Sequence, residues 1–446
     1  MFKCYVCGNI QENSGQCSVC KNLTVYYPLN YEVKKIKAAD IRANNIWNYR
    51  NLLPAVDKII SLGEGNTPLI YSEKIKDELK VSSLMIKNES VNPTGSFLDR
   101  GSSVAISYAI SNKYKGVKCF SSGNLGASLS AYSAKAGIPC AVYATRKLIT
   151  GKLYQTMCYG ASVNFYDDQQ DAISESQKMQ KGFYITGESD SIFLSGLKTI
   201  AYEIVEQATK LPDYIFVSVG EGGALSMIYA GLLDLKDAGL LGEMPRLVGV
   251  RVKNRSTVAD DLLIQKANSK AAEKALNDSN GFMIEVEDEE ILKATATLAK
   301  SEGLFAEPSA AVALAGLYKA FNERKIGQKT NVLYVLTGTG LKDPVAIGAL
   351  IDIRPKQSIA EFQIGKTKKA ILEILYSKKA HGYEIWKKLK GFEINDTLPA
   401  VYISLSDLKN DGLIKGENLT VKGRNIVLYE LTDSGKRIAG LLLSMQ

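Results

Sequence analysis

The chain reads as an α/β protein built on parallel sheets, followed by a smaller helical unit. Three observations point there. Short apolar runs at residues 117–120, 140–143, 162–166, 214–219, 247–252 and 332–336 alternate with helical patterns. Strands that alternate with helices in this way form parallel sheets covered on both faces. Glycine-rich turns fall where several of these runs end, which is where ligands sit in such sheets. From about residue 362 the texture changes to a compact basic segment that ends in a hairpin pattern.

The length of 446 residues allows two or three domains with real cores. A hydrophobic content of 46% with 23% charged residues is that of a globular chain, not a disordered one. There is no apolar run of about 18 residues, so no membrane span is expected. The opening Met-Phe-Lys-Cys-Tyr-Val-Cys lacks the apolar stretch of a signal peptide, and residence in the cytoplasm is the expectation. The net charge of +8 permits contact with nucleic acid without requiring it.

The elements follow in order. Cys4-x-x-Cys7 and Cys17-x-x-Cys20 form two knuckles. Two such turns complete a tetrahedral site for zinc, or for another tetrahedral metal such as iron. Four sulfurs leave no open position, so the role is structural. Cys119, Cys140 and Cys158 sit in apolar or mixed surroundings and read as small buried hydrophobes. A helical pattern over 127–136 is stopped by Gly137 and followed by Pro139. The run 214–219 leads into Gly220-Glu221-Gly222-Gly223 and then a helix. A strand, a glycine turn and a helix aim backbone N–H groups and the helix dipole at one spot, which suits a phosphate.

Asn92-Pro93-Thr94-Gly95-Ser96-Phe97-Leu98-Asp99-Arg100-Gly101 resembles the signature N-P-T-G-S-F-K-D-R-G of threonine synthases, which are fold-type II pyridoxal-phosphate enzymes. Gly63-Glu64-Gly65-Asn66-Thr67-Pro68-Leu69, Lys87-Asn88-Glu89, Ser122-Gly123-Asn124, Glu307-Pro308-Ser309 and Leu336-Thr337-Gly338-Thr339-Gly340-Leu341-Lys342-Asp343 match further family segments in order. The resemblance covers roughly residues 1–350, because many of these enzymes also carry an N-terminal zinc ribbon. It implies a two-lobed core over 26–358, a ribbon over 1–25, and a cofactor site at Ser96, Asn124, Gly220, Gly222, Gly223 and Thr337. Asn124 would contact the phenolic oxygen and Thr337 would face the pyridine nitrogen.

The sequence departs from the family pattern where cofactor and substrate would lie. Leu98 stands at the position of the cofactor-binding lysine, and leucine has neither a nitrogen nor a proton to move. Pyridoxal phosphate could then enter only without the usual internal aldimine. Phe193 stands at the position of a substrate-binding arginine, and Ser195 and Leu197 replace Glu and Gln. Thr339 replaces a histidine, Ala224 replaces an asparagine, and Glu221 puts a carboxylate in the phosphate turn. An ionised carboxylate there would repel a phosphate. Lys87, Lys152 and Lys342 are the candidate substitutes for the missing amine.

Residues 359–446 read as helix, helix, helix, hairpin, helix, the order of a winged helix-turn-helix. His381-Gly382-Tyr383-Glu384-Ile385, Asp411-Gly412-Leu413-Ile414 and Tyr429-Glu430-Leu431-Thr432-Asp433-Ser434-Gly435 resemble PadR-type regulators. In that fold the third helix enters the major groove and the wing meets the backbone. Lys409 and Asn410 on the helix and Lys422 and Arg424 on the wing are the expected contacts. Residues 361–446 hold 14 Lys/Arg and 10 Asp/Glu. That excess is modest for a DNA binder, so a dimerisation or docking module is the alternative. His381, the single histidine, reads as a helix-start or core residue.

These readings combine into a threonine synthase-like pseudoenzyme, a homodimer that senses a small molecule in the old cleft and reports it on DNA. The alternatives are an active threonine synthase or related lyase using a different lysine, and a non-catalytic partner of an active paralogue.

Overall fold

The computed structural model describes residues 1–28, 44–121, 123–145, 150–253, 257–262, 270–343, 366–392, 394, 396–421, 424–433, 435–436 and 439, with backbone alone at 150, 260, 419–421 and 424–426. The chain divides into two compact units, Met1–Leu350 and Ile351–Gln446.

The first unit opens with a small antiparallel sheet in which β1 (Phe2–Lys3) lies between β2 (Ile10–Gln11) and β3 (Val25–Tyr26). This sheet is anchored to the core through a buried ion pair. Lys198 Nζ lies 2.6 Å from Asp234 and donates to the carbonyl of Tyr26 at 2.8 Å, while Tyr5 donates its hydroxyl to Asp234 at 3.0 Å.

Along the core run β4 (Leu69–Tyr71), β5 (Ser83–Asn88), β6 (Gly116–Phe120), β7 (Cys140–Thr145), β8 (Ser162–Tyr166), β9 (Phe183–Ile185), β10 (Tyr214–Ser218), β11 (Arg246–Val252), β12 (Phe282–Val286) and β13 (Asn331–Leu336). They form two sheets, one of six strands in the order β12-β11-β10-β13-β5-β4 and one of four in the order β8-β7-β6-β9. All pairs are parallel except β4 with β5. Ile215, Phe216 and Val217 are all fully buried, so β10 is covered on both faces. That is why such strands read as continuous apolar runs without alternation. Apolar texture does not predict β4, β5, β9 and β12. β5 ends in Lys87-Asn88 and β12 carries Glu285, while β4 and β9 are three residues long.

Five helices position the site: α1 (Asp99–Ser111), α2 (Asn124–Ala136), α3 (Ser191–Leu197), α4 (Gly223–Asp237) and α5 (Pro308–Asn322). Gly137 ends α2 with φ 72°, as its sequence predicts. α3 lies directly on α1: a Cβ at Gly196 would stand 2.2 Å from the carbonyl oxygen of Arg100, so the contact requires glycine.

Arg100 is fully buried and ties four segments together. Its guanidinium donates to Glu89 at 2.6 and 2.8 Å, to Glu203 at 2.6 and 2.8 Å, and to the hydroxyls of Thr199 and Thr67. Lys87 joins the network, donating to Glu203 at 2.6 Å and to the Thr67 carbonyl at 2.7 Å. Two cations against two carboxylates, with the remaining valences hydrogen-bonded, is the arrangement that makes buried charge tolerable.

The second unit has helices α6 (Lys366–Ser377), α7 (Gly382–Leu389) and α8 (Leu398–Asn410). A hairpin of β15 (Ile414–Val421) and β16 (Arg424–Leu431) follows, and β14 (Ala380–His381) adds a third strand that the sequence does not announce. Ile371, Leu372, Ile385, Val401 and Leu405 make its core. His381 caps α7, its Nδ1 accepting from the Glu384 N–H at 3.3 Å. The Gly435 N–H donates to the Thr432 hydroxyl at 3.1 Å, which opens the last helical turn.

Candidate functional site

β10 runs into Gly220-Glu221-Gly222-Gly223 and then α4. Gly222 caps that helix with φ 88°, a left-handed conformation that favours glycine. The turn forms one wall of a cavity of about 620 Å³ lined by residues from both sheets. Leu98, Asn124, Gly220, Gly222, Gly223 and Thr337 all lie on that wall, brought together from segments far apart in the chain. Ser96 stands behind it, fully buried, with its hydroxyl accepting from the Leu98 N–H at 3.4 Å. Leu98 is 4% exposed and packs with Phe193, Leu194 and Leu197. Phe193 is core; its ring closes on Gly101, where a Cβ would meet it at 2.6 Å. Ser122 lies outside the described residues.

The electrostatics of the wall come partly from motif residues, Glu221 and Glu307, and partly from Glu188, Asp190 and Asp261, which no sequence motif singles out. Glu188, Asp190, Glu221, Asp261 and Glu307 all line the cavity, with no lysine, arginine or histidine among the described lining residues. Asp190 is satisfied, accepting from Tyr184, Thr186 and the Ile192 N–H. Asp261 and Glu307 share Lys152, which stands 3.3 Å from Glu307 and also pairs with Asp261. Burial raises the Glu307 carboxyl, against the pull of Lys152. Glu188 opens onto the cavity, where desolvation by the wall and the charges of Glu221 and Asp261 push its carboxyl up to about 7.

Asn124 donates its amide to Glu307 at 2.8 and 3.1 Å and to Asp261 at 3.3 Å. That fixes its orientation, because a turned amide would set oxygen against carboxylate. Its Oδ1, buried in the wall, has no hydrogen-bond partner among the described residues.

The three lysines that could replace an amine at position 98 have different environments, and none lies on the described wall. Lys87 is locked in the Arg100 network and Lys152 in the Asp261–Glu307 pair. The buried Lys342 Nζ has no hydrogen-bond partner among the described residues, and burial lowers its pKa.

In the ribbon, the sulfurs of Cys4, Cys7, Cys17 and Cys20 all lie within 4.8 Å of one another, with Cys4–Cys20 at 3.4 Å and Cys7–Cys17 at 3.6 Å. Zn–S bonds of about 2.3 Å need sulfurs at such spacings, so the donor set is compatible with a tetrahedral ion. In the second unit Lys409 and Asn410 are exposed at the end of α8, and the backbone of Arg424 opens β16. Lys422 lies outside the described residues.

Residues 60–338 match the family described as pyridoxal-phosphate dependent enzyme, and residues 371–440 match the transcriptional regulator PadR-like family. The chain belongs to the pyridoxal-phosphate dependent enzymes and carries a PadR-like domain at its C-terminal end. Within that class, threonine synthases are among its relatives. That of Methanocaldococcus jannaschii is 35% identical over 378 residues, which is 77% of this chain and 93% of that protein. That of Methanosarcina acetivorans is 32% identical over 405 residues, 83% of this chain and 98% of that protein. Among solved structures, O-ureido-L-serine synthase gives a TM-score of 0.56 at 18% identity, covering 69% of this chain and 98% of its own. A pyridoxal 5'-phosphate-dependent aspartate racemase gives 0.54 at 24%, covering 61% and 90%. At these identities the structures speak for the fold alone. No helix among the described residues is long and apolar enough to cross a membrane.

The described wall does not fit the family's cofactor. It offers no amine, it sets carboxylates around the turn where a phosphate would sit, and the free atom of Asn124 is an acceptor where a phenolate oxygen needs a donor.

Proposed function

We propose that this protein is a threonine synthase-like pseudoenzyme, a cytoplasmic homodimer that binds a small molecule in the cavity and regulates DNA binding by its winged helix. The observation that carries the reading is Leu98, at the signature lysine's position and packed into the wall of a cavity that offers no amine among its described lining residues. Ligand binding can shift a DNA-binding equilibrium only through different affinity for its two states. A two-fold dimer would present two such helices to a palindromic site.

The test is to incubate the protein with pyridoxal phosphate, reduce with borohydride, and weigh the intact chain and its peptides. The expected result is no specific adduct on the natural sequence. A single stoichiometric adduct on Lys342 of the natural sequence would revive the second reading, an active enzyme with a substitute lysine. The unpartnered Lys342 amine is the observation that favours that reading.

For the winged helix, Lys409→Ala is expected to weaken DNA binding about equally across sequences. It should also reduce the slope of log K against log salt by about 1. An unchanged slope would remove Lys409 from the interface, and no DNA affinity in the natural protein would leave a docking role.

A further inference from the structure

We infer that the cavity takes a small organic cation, an amine or guanidinium compound with an apolar body and no phosphate. Glu188 and Glu221 offer it carboxylates that no described residue pairs, and Asn124 offers an unpaired carbonyl oxygen. The inference rests on the reading of the cavity as a ligand site in a core without the family chemistry, and it names the ligand's class.

Three features of the wall agree. First, among the described residues the lining charge has one sign: five carboxyl groups and no basic side chain line the cavity, with Lys152 and Lys342 behind Glu307. Second, Asn124 is nine-tenths buried, and its amide nitrogen is committed to Glu307 and Asp261. What it has left is an acceptor, which selects an N–H donor. Third, Phe97, Leu98, Leu125 and Ala224 supply apolar surface beside the carboxylates, so the site is suited to an amphipathic molecule. A bare metal ion is disfavoured. Among the described residues the one group of acidic, cysteine or histidine side chains close enough to hold an ion is the ribbon's four cysteines. Asp261 and Glu307 converge, but on Lys152 and the Asn124 amide, and among the described residues no third acidic side chain joins them.

The test is calorimetric titration of the full chain with agmatine and spermidine, and in parallel with pyridoxal phosphate and inorganic phosphate. Agmatine is expected to bind, and phosphate is expected neither to bind nor to displace it. Glu188→Gln and Glu221→Gln should each weaken agmatine by about tenfold or more, as expected for losing one charge-assisted contact. Both side chains are exposed to the cavity, so neither change removes a folding contact. Affinity should rise as the pH passes upward through 7. There Glu188, facing Glu221 and Asp261, becomes ionised, and binding near pH 7 should release protons to the buffer.

Failure of both cations to bind would overturn the inference. So would binding unchanged in both variants, or displacement of agmatine by phosphate. DNA affinity is measured separately with and without agmatine. Binding of the cation without an effect on DNA would defeat the regulatory reading and leave this inference standing. A phosphate ligand that altered DNA affinity would do the reverse.

Discussion

Arg100→Met is expected to lower the stability of the core by about 3–5 kcal/mol, the cost of removing one partner from a fully buried ionic network. The guanidinium makes charge-assisted contacts to Glu89 and Glu203, and both carboxylates are as deeply buried as Arg100 itself. Methionine fills much of the volume but leaves two carboxylates with Lys87 as the remaining cation of the described network, alongside hydrogen bonds from Asn66, Thr67 and Asn92. Burial by itself would raise the Glu203 carboxyl. Arg100 and Lys87 outweigh burial and hold it down to about 2. A carboxyl whose folded pKa lies below its ordinary 4.5 contributes stability that is complete above that value. The contribution is lost as pH falls toward 2. Urea unfolding at pH 7 and pH 3 checks both statements: the natural protein should lose stability over that interval, and Arg100→Met should lose less. A loss at pH 7 below about 1 kcal/mol would mean that the network behaves like a surface pair.

Cys17→Ser is expected to abolish metal binding by the four cysteines and to loosen the two knuckles. Structural zinc in small domains contributes about 10–16 kcal/mol of apparent binding free energy, all of it folding free energy where no other core exists. The strands here are only two residues long, while Tyr5, Gly15 and Tyr26 tie the segment to the core, so the metal's contribution falls on the two knuckles. Metal analysis should give one equivalent in the natural protein and close to none in the variant, with rapid proteolysis confined to the ribbon. A natural protein that binds no metal and whose four thiols alkylate freely would leave the cluster as unliganded cysteines.

Much of this architecture can be read in the sequence because local chemistry specifies it. The glycine turn after 214–219 needs a left-handed residue, and Gly222 supplies it. Two CxxC knuckles bring four sulfurs together at short range. The alternation of amphipathic helices and hairpin gives the second unit its order. What could not be read depends on distant partners. β5 carries a lysine that is tolerable only because Glu203, more than a hundred residues away, meets it. Glu188 and Asp261 sit in segments without a motif, and the fold alone sets them against Glu221 and Asn124. Lys87, Lys152 and Lys342 are equivalent in sequence terms. Their partners separate them, and Lys342 alone has an amine with no hydrogen-bond partner among the described residues.

The ribbon does more than flank the core. Ser14 and Gly15, in the loop between its two knuckles, form part of the cavity wall, and the Gly15 N–H donates to Ser191 at 2.9 Å on the helix that lines it. A metal on the four thiols would therefore stabilise part of the surface that a ligand touches. Occupancy at the two places is then thermodynamically reciprocal: the factor by which metal raises ligand affinity must equal the factor by which ligand raises metal affinity. Measuring agmatine affinity with and without metal, and metal affinity with and without agmatine, tests that equality. A chelator or a thiol oxidant would thus antagonise the ligand without entering its cavity.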